Sequence, residues 1–569
     1  MIPKTKTAYY GIGWLLMLLA LTGQTALAAS AAHRAQHGMV VTQSAIASDV
    51  GARVLRAGGN AIDAAVATAF ALAVTYPEAG NIGGGGFLVY QPQEGGADAY
   101  DFRETAPTGS HPQMWLDEDG EYSPARQYVG PVAAGVPGTV AGLHKAWRDH
   151  GSLPWAELVA PAIGLARDGF AIPEDLARSI AATLPQMEAY PASLAQFSRD
   201  GAPMAPGELL VQRDLARTLE LIAADGPDAF YRGPIAEQIV ALMASTGGLI
   251  TAGDLASYRA VKRKPIRGTY RGYEIVSMPP PSSGGVALVQ TLNLLEGYDI
   301  AGEGFGSART LHLITEALRR TFADRARYLA DPDFVKDMPV RRLTSKSYAA
   351  ELRETISLNR AGTSSPETFE WPTASNDTAH FSVVDAQRNA VSLTYTLNGR
   401  YGNQMVVPGA GFLLNNEMGD FNPVPGLTDE RGRIGTTPNL AAPGKRMLSS
   451  MSPTIVLKDG ELFMVTGARG GRSIISTVLQ TIMNVVDHGM NAQAAVDARR
   501  IHHQWLPDRL RYEPQSFSRD TLNALRWLGH EIEQGGASWS NAEVIVVAND
   551  GWLEGGDDRR RSRGSVAGY

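Results

Sequence analysis

The chain runs to 569 residues, a soft prior of about three or four domains, or of one large α/β unit with long insertions. With 44% hydrophobic and 19% charged residues, 61 glycines and 33 prolines, it is globular rather than fibrous or disordered. Its 51 basic and 58 acidic residues leave a net charge of −7, no excess with which to neutralise a phosphate backbone, and there is no cysteine. The missing cysteines exclude disulfides, thiolate nucleophiles, zinc–thiolate sites and iron–sulfur clusters. Nucleophilic chemistry is left to Ser, Thr, Lys or a carboxylate. The 11 histidines are scattered and form no H-E-x-x-H, so a metal is not expected.

Lys4 and Lys6, the apolar stretch 12–21 and Ala26-Leu27-Ala28 read in that order as a secretory signal peptide over 1–28. About ten apolar residues are too few to span a bilayer, which takes roughly 20. An exported protein is expected, in the periplasm or released outside the cell, with no membrane span after signal cleavage.

Residues 48–57 follow a helical period, with Val50, Val54 and Leu55 on one side, and Gly58-Gly59 stops them. Asn60 caps a second helix over 61–74, apolar all round and therefore buried. Next, Gly80-Asn81-Ile82-Gly83-Gly84-Gly85-Gly86 runs into the strand Phe87-Leu88-Val89-Tyr90. Four consecutive glycines let another backbone or a ligand come close. A strand at 99–102 leads into Arg103-Glu104. From 136 to 335 the period is mostly helical, and within 311–329 Arg319, Arg320, Arg325 and Arg327 read as a solvated helix face. Residues 358–377 are polar and poor in aliphatics, an exposed segment long enough to suggest function. Behind it, 378–384 and 390–397 alternate as two strands joined by a turn. In this hairpin Thr378, His380 and Ser382 share one face, and Ser392, Thr394 and Thr396 share a face of the partner strand. Such polar faces are either solvated or line a site between sheets.

The sequence carries neither G-x-S-x-G nor a P-loop, and its glycine run does not complete G-x-G-x-x-G. What remains is a threonine that opens a strand directly behind a polar segment. If the chain were cut between Asp377 and Thr378, the Thr378 hydroxyl would gain a free α-amine beside it. An α-amine titrates at about 7.7–8.0, so it serves as general base near neutral pH without a histidine. This is the arrangement of an N-terminal nucleophile.

Asp377-Thr378-Ala379-His380-Phe381-Ser382-Val383-Val384-Asp385 and Thr394-Tyr395-Thr396-Leu397-Asn398 resemble segments of the γ-glutamyltranspeptidase family. So do Gly411-Phe412-Leu413-Leu414-Asn415-Asn416-Glu417-Met418-Gly419-Asp420-Phe421, Leu448-Ser449-Ser450-Met451-Ser452-Pro453-Thr454 and Gly467-Ala468-Arg469-Gly470-Gly471. Gly58–Ala65, Gly80–Phe87, Asp101–Glu104 and the final Gly568-Tyr569 add to the likeness, which runs from about residue 38 onward in the family's order and spacing.

The resemblance implies an α+β fold, the four-layer αββα sandwich of the N-terminal nucleophile hydrolases. It implies one precursor that cuts itself into a large subunit (29–377) and a small subunit (378–569), which stay together as a heterodimer. By position, Thr378 is the nucleophile, first at the Asp377–Thr378 bond and then toward a γ-glutamyl donor, and Thr396 orients it. Arg103 anchors the donor's α-carboxylate, helped by Ser449 and Ser450. Asn398, Glu417 and Asp420 accept its α-ammonium, and the N–H groups of Gly470 and Gly471 form the oxyanion hole. The implied donors are glutathione and other γ-glutamyl compounds, and the acceptors are water, amino acids or peptides. No nucleic acid, cofactor or metal is implied. Two departures stand out. The stretch 422–445 has the length of a lid, yet lacks the tyrosine that some bacterial lids place over the site. Arg469 adds positive charge beside the oxyanion glycines, on which ground acidic acceptors are expected. The alternative is a glutaryl or cephalosporin acylase of the same fold, which needs the carboxylate clamp but has no ammonium to hold; Asn398, Glu417 and Asp420 argue against it.

Overall fold

The computed structural model describes residues 31–365, 378–431, 433–536, 539–561 and 564–569. The expected signal peptide and Asp377 lie outside them. Among the described residues, no helix is long and apolar enough to cross a membrane.

Two antiparallel sheets of 7 strands each form the centre. In chain order their strands are β1 (His33–Ala35), β2 (Met39–Thr42), β3 (Gly85–Gln91), β4 (Asp98–Phe102), β5 (Val261–Arg263), β6 (Ile266–Tyr270), β7 (Tyr273–Ser277), β8 (Ala379–Val384), β9 (Ala390–Thr396), β10 (Thr454–Lys458), β11 (Glu461–Arg469), β12 (Asn541–Val547), β13 (Leu553–Asp557) and β14 (Ser565–Gly568). One sheet has the spatial order β14-β2-β8-β9-β3-β4-β5, the other β1-β13-β12-β11-β10-β7-β6. Strands from before and after the 377/378 position interleave. β8 pairs with β2 and β9 with β3 in the first sheet, and β7 with β10 in the second, so neither sheet is complete from one side of that position.

Helices cover the two outer faces. Against the first sheet pack α1 (Ala45–Arg56) and α2 (Ala61–Thr75), whose residues are all buried. A capping box starts α2: the Asn60 side chain accepts from Ile62 N and Asp63 N, and Asp63 answers to Asn60 N. Such a cap stabilises by about 1 kcal/mol. Against the second sheet lie α3 (Gly284–Leu295) and α5 (Ser473–Val486), with α4 (Ala308–Tyr328) packed on α3. Along β3, Leu88 and Tyr90 join the core under α1 and α2, while Phe87 and Val89 join the core on the other side. A strand apolar on both faces has to be covered on both, and the result is a four-layer αββα sandwich.

The glycine run is explained by backbone. A Cβ on Gly84 would stand 2.0 Å from the carbonyl oxygen of Thr396, one on Gly86 2.4 Å from that of Thr394, and one on Gly83 2.1 Å from that of Leu413. Three expectations need correction. Helix α1 begins at Ala45, upstream of residue 48, because Ser44 already supplies the extended N-cap conformation. The helical reading of 136–335 passed over β5, β6 and β7, which are short, half-exposed and joined by a turn with positive φ at Arg271 and Gly272. The arginines of α4 do not share one solvated face: Arg327 is exposed, but Arg319 and Arg325 are each only 6% exposed. Neighbouring elements cover both sides of α4, and polar partners meet the guanidinium groups there.

Candidate active site

Ala379 pairs with Tyr395 in the β8–β9 register, which puts Thr378 and Thr396 opposite each other at the open end of the hairpin. Both are buried. Thr396 is held from below by the glycine run. Asn81 Nδ2 donates to the Thr396 carbonyl (2.9 Å), while Asn81 Oδ1 accepts from Gly84 N (3.0 Å) and Thr139 Oγ1 (2.7 Å). Thr396 Oγ1 in turn accepts from Asn398 N at 2.7 Å. Asn398 sits at φ 71°, a left-handed conformation that asparagine tolerates better than most residues. The polar faces of the hairpin lie between the sheets. Ser392 Oγ donates to the Thr466 carbonyl (2.9 Å), and His380 faces Gly467 on β11. Burial pushes the His380 imidazole down to about 3, so it is neutral.

A cavity opens on Thr378 and Thr396. Asn398, Glu417, Asp420, Ser449, Ser450 and Gly471 line it. Gly470 (φ 129°) and Gly471 (φ 56°) both need glycine's freedom, and a Cβ on Gly470 would stand 2.4 Å from the Trp539 carbonyl oxygen. Helix α5 starts directly behind them at Ser473, so the positive end of its dipole adjoins this loop.

Arg103 is fully buried and does not line the cavity. Its Nη1 donates to Glu417 Oε1, its Nη2 to Asp420 Oδ2 (2.5 Å) and its Nε to the Met447 carbonyl (3.2 Å), with Glu104 Oε2 at 3.6 Å. A single turn of 3-10 helix, Glu417–Asp420, aims both carboxylates at it. Two buried carboxylates and a third, Asp420, that is partly exposed thus crowd one guanidinium. Burial pushes Glu104 up to about 8, Glu417 well above its ordinary value, and Asp420 up as well, against the pull of Arg103. Glu417 Oε2 and both Glu104 oxygens are buried without a hydrogen-bond partner.

Two cavity residues escaped the sequence reading. Arg325 and Arg472 both line the cavity, and burial holds the pKa of each below its ordinary value. Leu311, Leu318, Phe322 and Arg325 share one face of α4 at helical spacing, a signal that Arg325 points inward. Arg472 follows the glycine pair directly.

Arg469 stands elsewhere. It lines a separate polar cavity of about 350 Å³ with Tyr76, Glu78 and Arg400, donates to Tyr76 Oη and Asn541 Oδ1 (3.1 Å), and has Glu78 Oε2 at 3.8 Å. Of the stretch 422–445, Asn439 Nδ2 donates to the Asp420 carbonyl (2.8 Å) and Asn422 Nδ2 to that of Thr436 (2.7 Å), tying it to the acidic turn. His312, Glu316 and His530 come close enough together for a metal ion. However, His312 Nδ1 is shared with His530 Nε2 (2.8 Å), and both Glu316 oxygens already accept, from Gly362 N (3.0 Å), Arg319 Nε (3.2 Å) and Arg320 Nη1 (2.7 Å).

The family model described as Gamma-glutamyltranspeptidase matches residues 47–569. A glutathione hydrolase proenzyme of Escherichia coli (strain K12) is 48% identical over 543 residues, covering 94% of this chain and 92% of that protein. An acylase ACY 1 proenzyme of Pseudomonas sp. (strain SE83) is 41% identical, covering 91% of each. A solved structure of cephalosporin acylase from Bacillus halodurans superposes with a TM-score of 0.83 at 29% identity, covering 95% of this chain and 97% of that one.

Proposed function

The chain belongs to the γ-glutamyltranspeptidase family, and from that premise we propose how its own residues carry the reaction. It is a γ-glutamyltransferase and glutathione hydrolase, made as a proenzyme. The chain is cut between Asp377 and Thr378 into a large and a small subunit, after removal of residues 1–28 on export. The interleaving of β8 and β9 with β2 and β3 supports the reading that the two pieces stay together.

After the cut, the Thr378 α-amine takes the proton of its own hydroxyl as Oγ1 attacks the γ-carbonyl of the donor. Thr396, directly opposite, holds the nucleophile in line. The N–H groups of Gly470 and Gly471, at the positive end of α5, take the negative charge that develops on the carbonyl oxygen. Collapse, with that proton passed from the α-ammonium of Thr378 to the departing nitrogen, releases the amine of the leaving group, cysteinylglycine when the donor is glutathione, and leaves a γ-glutamyl ester on Thr378. Water, or the amine of an amino acid or peptide, then attacks the ester and frees the threonine.

The observation that carries the γ-glutamyl reading over the acylase reading is Glu417. Its Oε2 is buried without a partner beside the cavity, within a group of carboxylates that outnumber the Arg103 charge. An unpaired buried acceptor is costly unless a donor meets it. The α-ammonium of a γ-glutamyl compound brings three N–H donors and a positive charge, whereas a glutaryl group brings neither. Asp420 and the amide oxygen of Asn398 complete its acceptors. Arg103, engaged by Glu417 and Asp420, orients these carboxylates.

Chromogenic release from a γ-glutamyl anilide and a glutaryl anilide, each with and without glycylglycine, tests this. The expected result is strong preference for the γ-glutamyl compound with acceleration by the dipeptide. Preference for the glutaryl compound hands the case to the acylase.

A further inference from the structure

Arg325 poses a question that the reaction above leaves open. It is buried on α4, lines the cavity with Thr378, and among the described residues no carboxylate comes within ion-pairing distance of it. Arg103, by contrast, is saturated by carboxylates. A buried cation with no counter-charge is expensive, and a protein keeps one where an anion is to arrive.

Its hydrogen bonds say where. Nε donates to Ser283 Oγ (2.8 Å) and Nη2 to Ser450 Oγ (2.9 Å). Guanidinium groups only donate, so both hydroxyl oxygens are acceptors here and each keeps its own hydrogen for another partner. Ser283 spends its hydrogen on the Ser449 carbonyl (2.5 Å). Ser450 is left with its O–H to direct into the cavity that it lines. Ser449 is in the same position, since its Oγ accepts from Met451 N (3.1 Å). The backbone behind the two serines is pinned, with Ser449 N donating to the Pro281 carbonyl (3.0 Å) and Ser283 N to that of Ser449 (2.8 Å). Two fixed hydroxyl donors, with a positive charge one hydrogen bond behind Ser450, make a carboxylate cradle.

We infer that Arg325 is a positioning and specificity residue for the donor's α-carboxylate: it turns the Ser450 hydroxyl into a donor toward that carboxylate and supplies the counter-charge on the serine side of the site. This rests on the γ-glutamyl reading and deepens it. The two ends of the donor's amino-acid group then meet opposite charges, the ammonium at Glu417 and Asp420 and the carboxylate at Ser449, Ser450 and Arg325.

The test is steady-state kinetics on a γ-glutamyl p-nitroanilide with Arg325→Gln, Arg325→Lys, Ser450→Ala and the double variant Arg325→Gln/Ser450→Ala. Self-cleavage on a denaturing gel reports folding. Loss of a charge-assisted contact made equally in ground and transition states raises KM about tenfold or more for Arg325→Gln, with kcat within about threefold. Arg325→Lys, which keeps the charge, recovers part of the loss. Because Arg325 acts through Ser450, its replacement in the Ser450→Ala background costs less than about twofold more. A fall in kcat at unchanged KM, or single effects that simply multiply, overturns the inference. If Arg325→Gln fails to fold, Arg325→Lys and Ser450→Ala decide: raised KM in both supports it and unchanged KM in both overturns it. An unaltered enzyme that cuts itself yet releases no γ-glutamyl anilide would instead overturn the γ-glutamyl reading.

Discussion

Two of the clusters of charged side chains inside the molecule are built to opposite rules. In the cluster around Glu316, each carboxylate is satisfied. Glu316 is met by Arg319, Arg320 and Gly362 N, and Asp508 by Arg319, His503 and Ser364 N (2.7 Å). Both carboxylates are held below their ordinary pKa by these partners, against the push of burial. The His312–His530 pair closes on itself. His312 Nε2 donates to the Ser357 carbonyl (2.8 Å), so its Nδ1 accepts from His530 and both rings are neutral. At the cavity beside Thr378, Glu417 and Asp420, with Glu104 beside them at Arg103, are pushed upward, oxygens of Glu104 and Glu417 lack a hydrogen-bond partner, and Arg325 lacks a counter-charge among the described residues. A cluster that is complete by itself holds the chain in place, here docking residues 361–365; one that is incomplete awaits a ligand.

That contrast can be broken in several ways. The largest effect is at the nucleophile. Thr378→Ala leaves the precursor uncut on a denaturing gel and lowers anilide release by about a thousandfold or more; a normally cut protein would sink the mechanism. Next, Glu417→Gln together with Asp420→Asn lowers kcat/KM for a γ-glutamyl anilide about a hundredfold, while a glutaryl anilide loses less than about fivefold. Equal losses on the two would remove the ammonium site. In the satisfied cluster, Glu316→Gln takes away the carboxylate partner of Arg320 and one of the two that Arg319 has, and destabilises by about 3 kcal/mol in denaturant unfolding, with KM within about twofold. A KM shift without a stability loss there would erase the distinction.

The smallest effects are in pH. Burial raises Glu417 and Asp420 above their ordinary values and partners hold Glu316 and Asp508 below theirs, so the first pair takes up protons as pH falls while the second is still ionised. KM for γ-glutamyl donors therefore rises on acidification before the fold weakens through its carboxylates. Histidines act on the fold directly. His380, His502 and His530 stay neutral in the folded state down to about 3, against an ordinary value of 6.5. The unfolded chain binds these protons first, so the stability they allow is complete above about 6.5 and is lost progressively as pH falls toward 3. Unfolding free energies measured across that window should decline, and His380→Gln should flatten the decline.

Much of this was legible in the chain because it is local. The Asn60 cap, the all-apolar α2, the alternation of 378–384 and 390–397 and the turn that aims Glu417 and Asp420 one way follow from side-chain spacing and capping chemistry over a few residues. The motif string also pointed to the family. Tertiary structure decided the rest, because it depends on groups distant in sequence. Whether the polar face of the hairpin met water or the facing sheet turned on the arrival of β11, and what the glycine run approached turned on the position of the Thr396 backbone. Arg319 and Arg325 read as solvated because a charged side chain has no way to declare its partners in advance. Burial of a charge is affordable only where partners such as Ser283, Ser450, Glu316 and Asp508 converge on it, and only the folded chain brings them there.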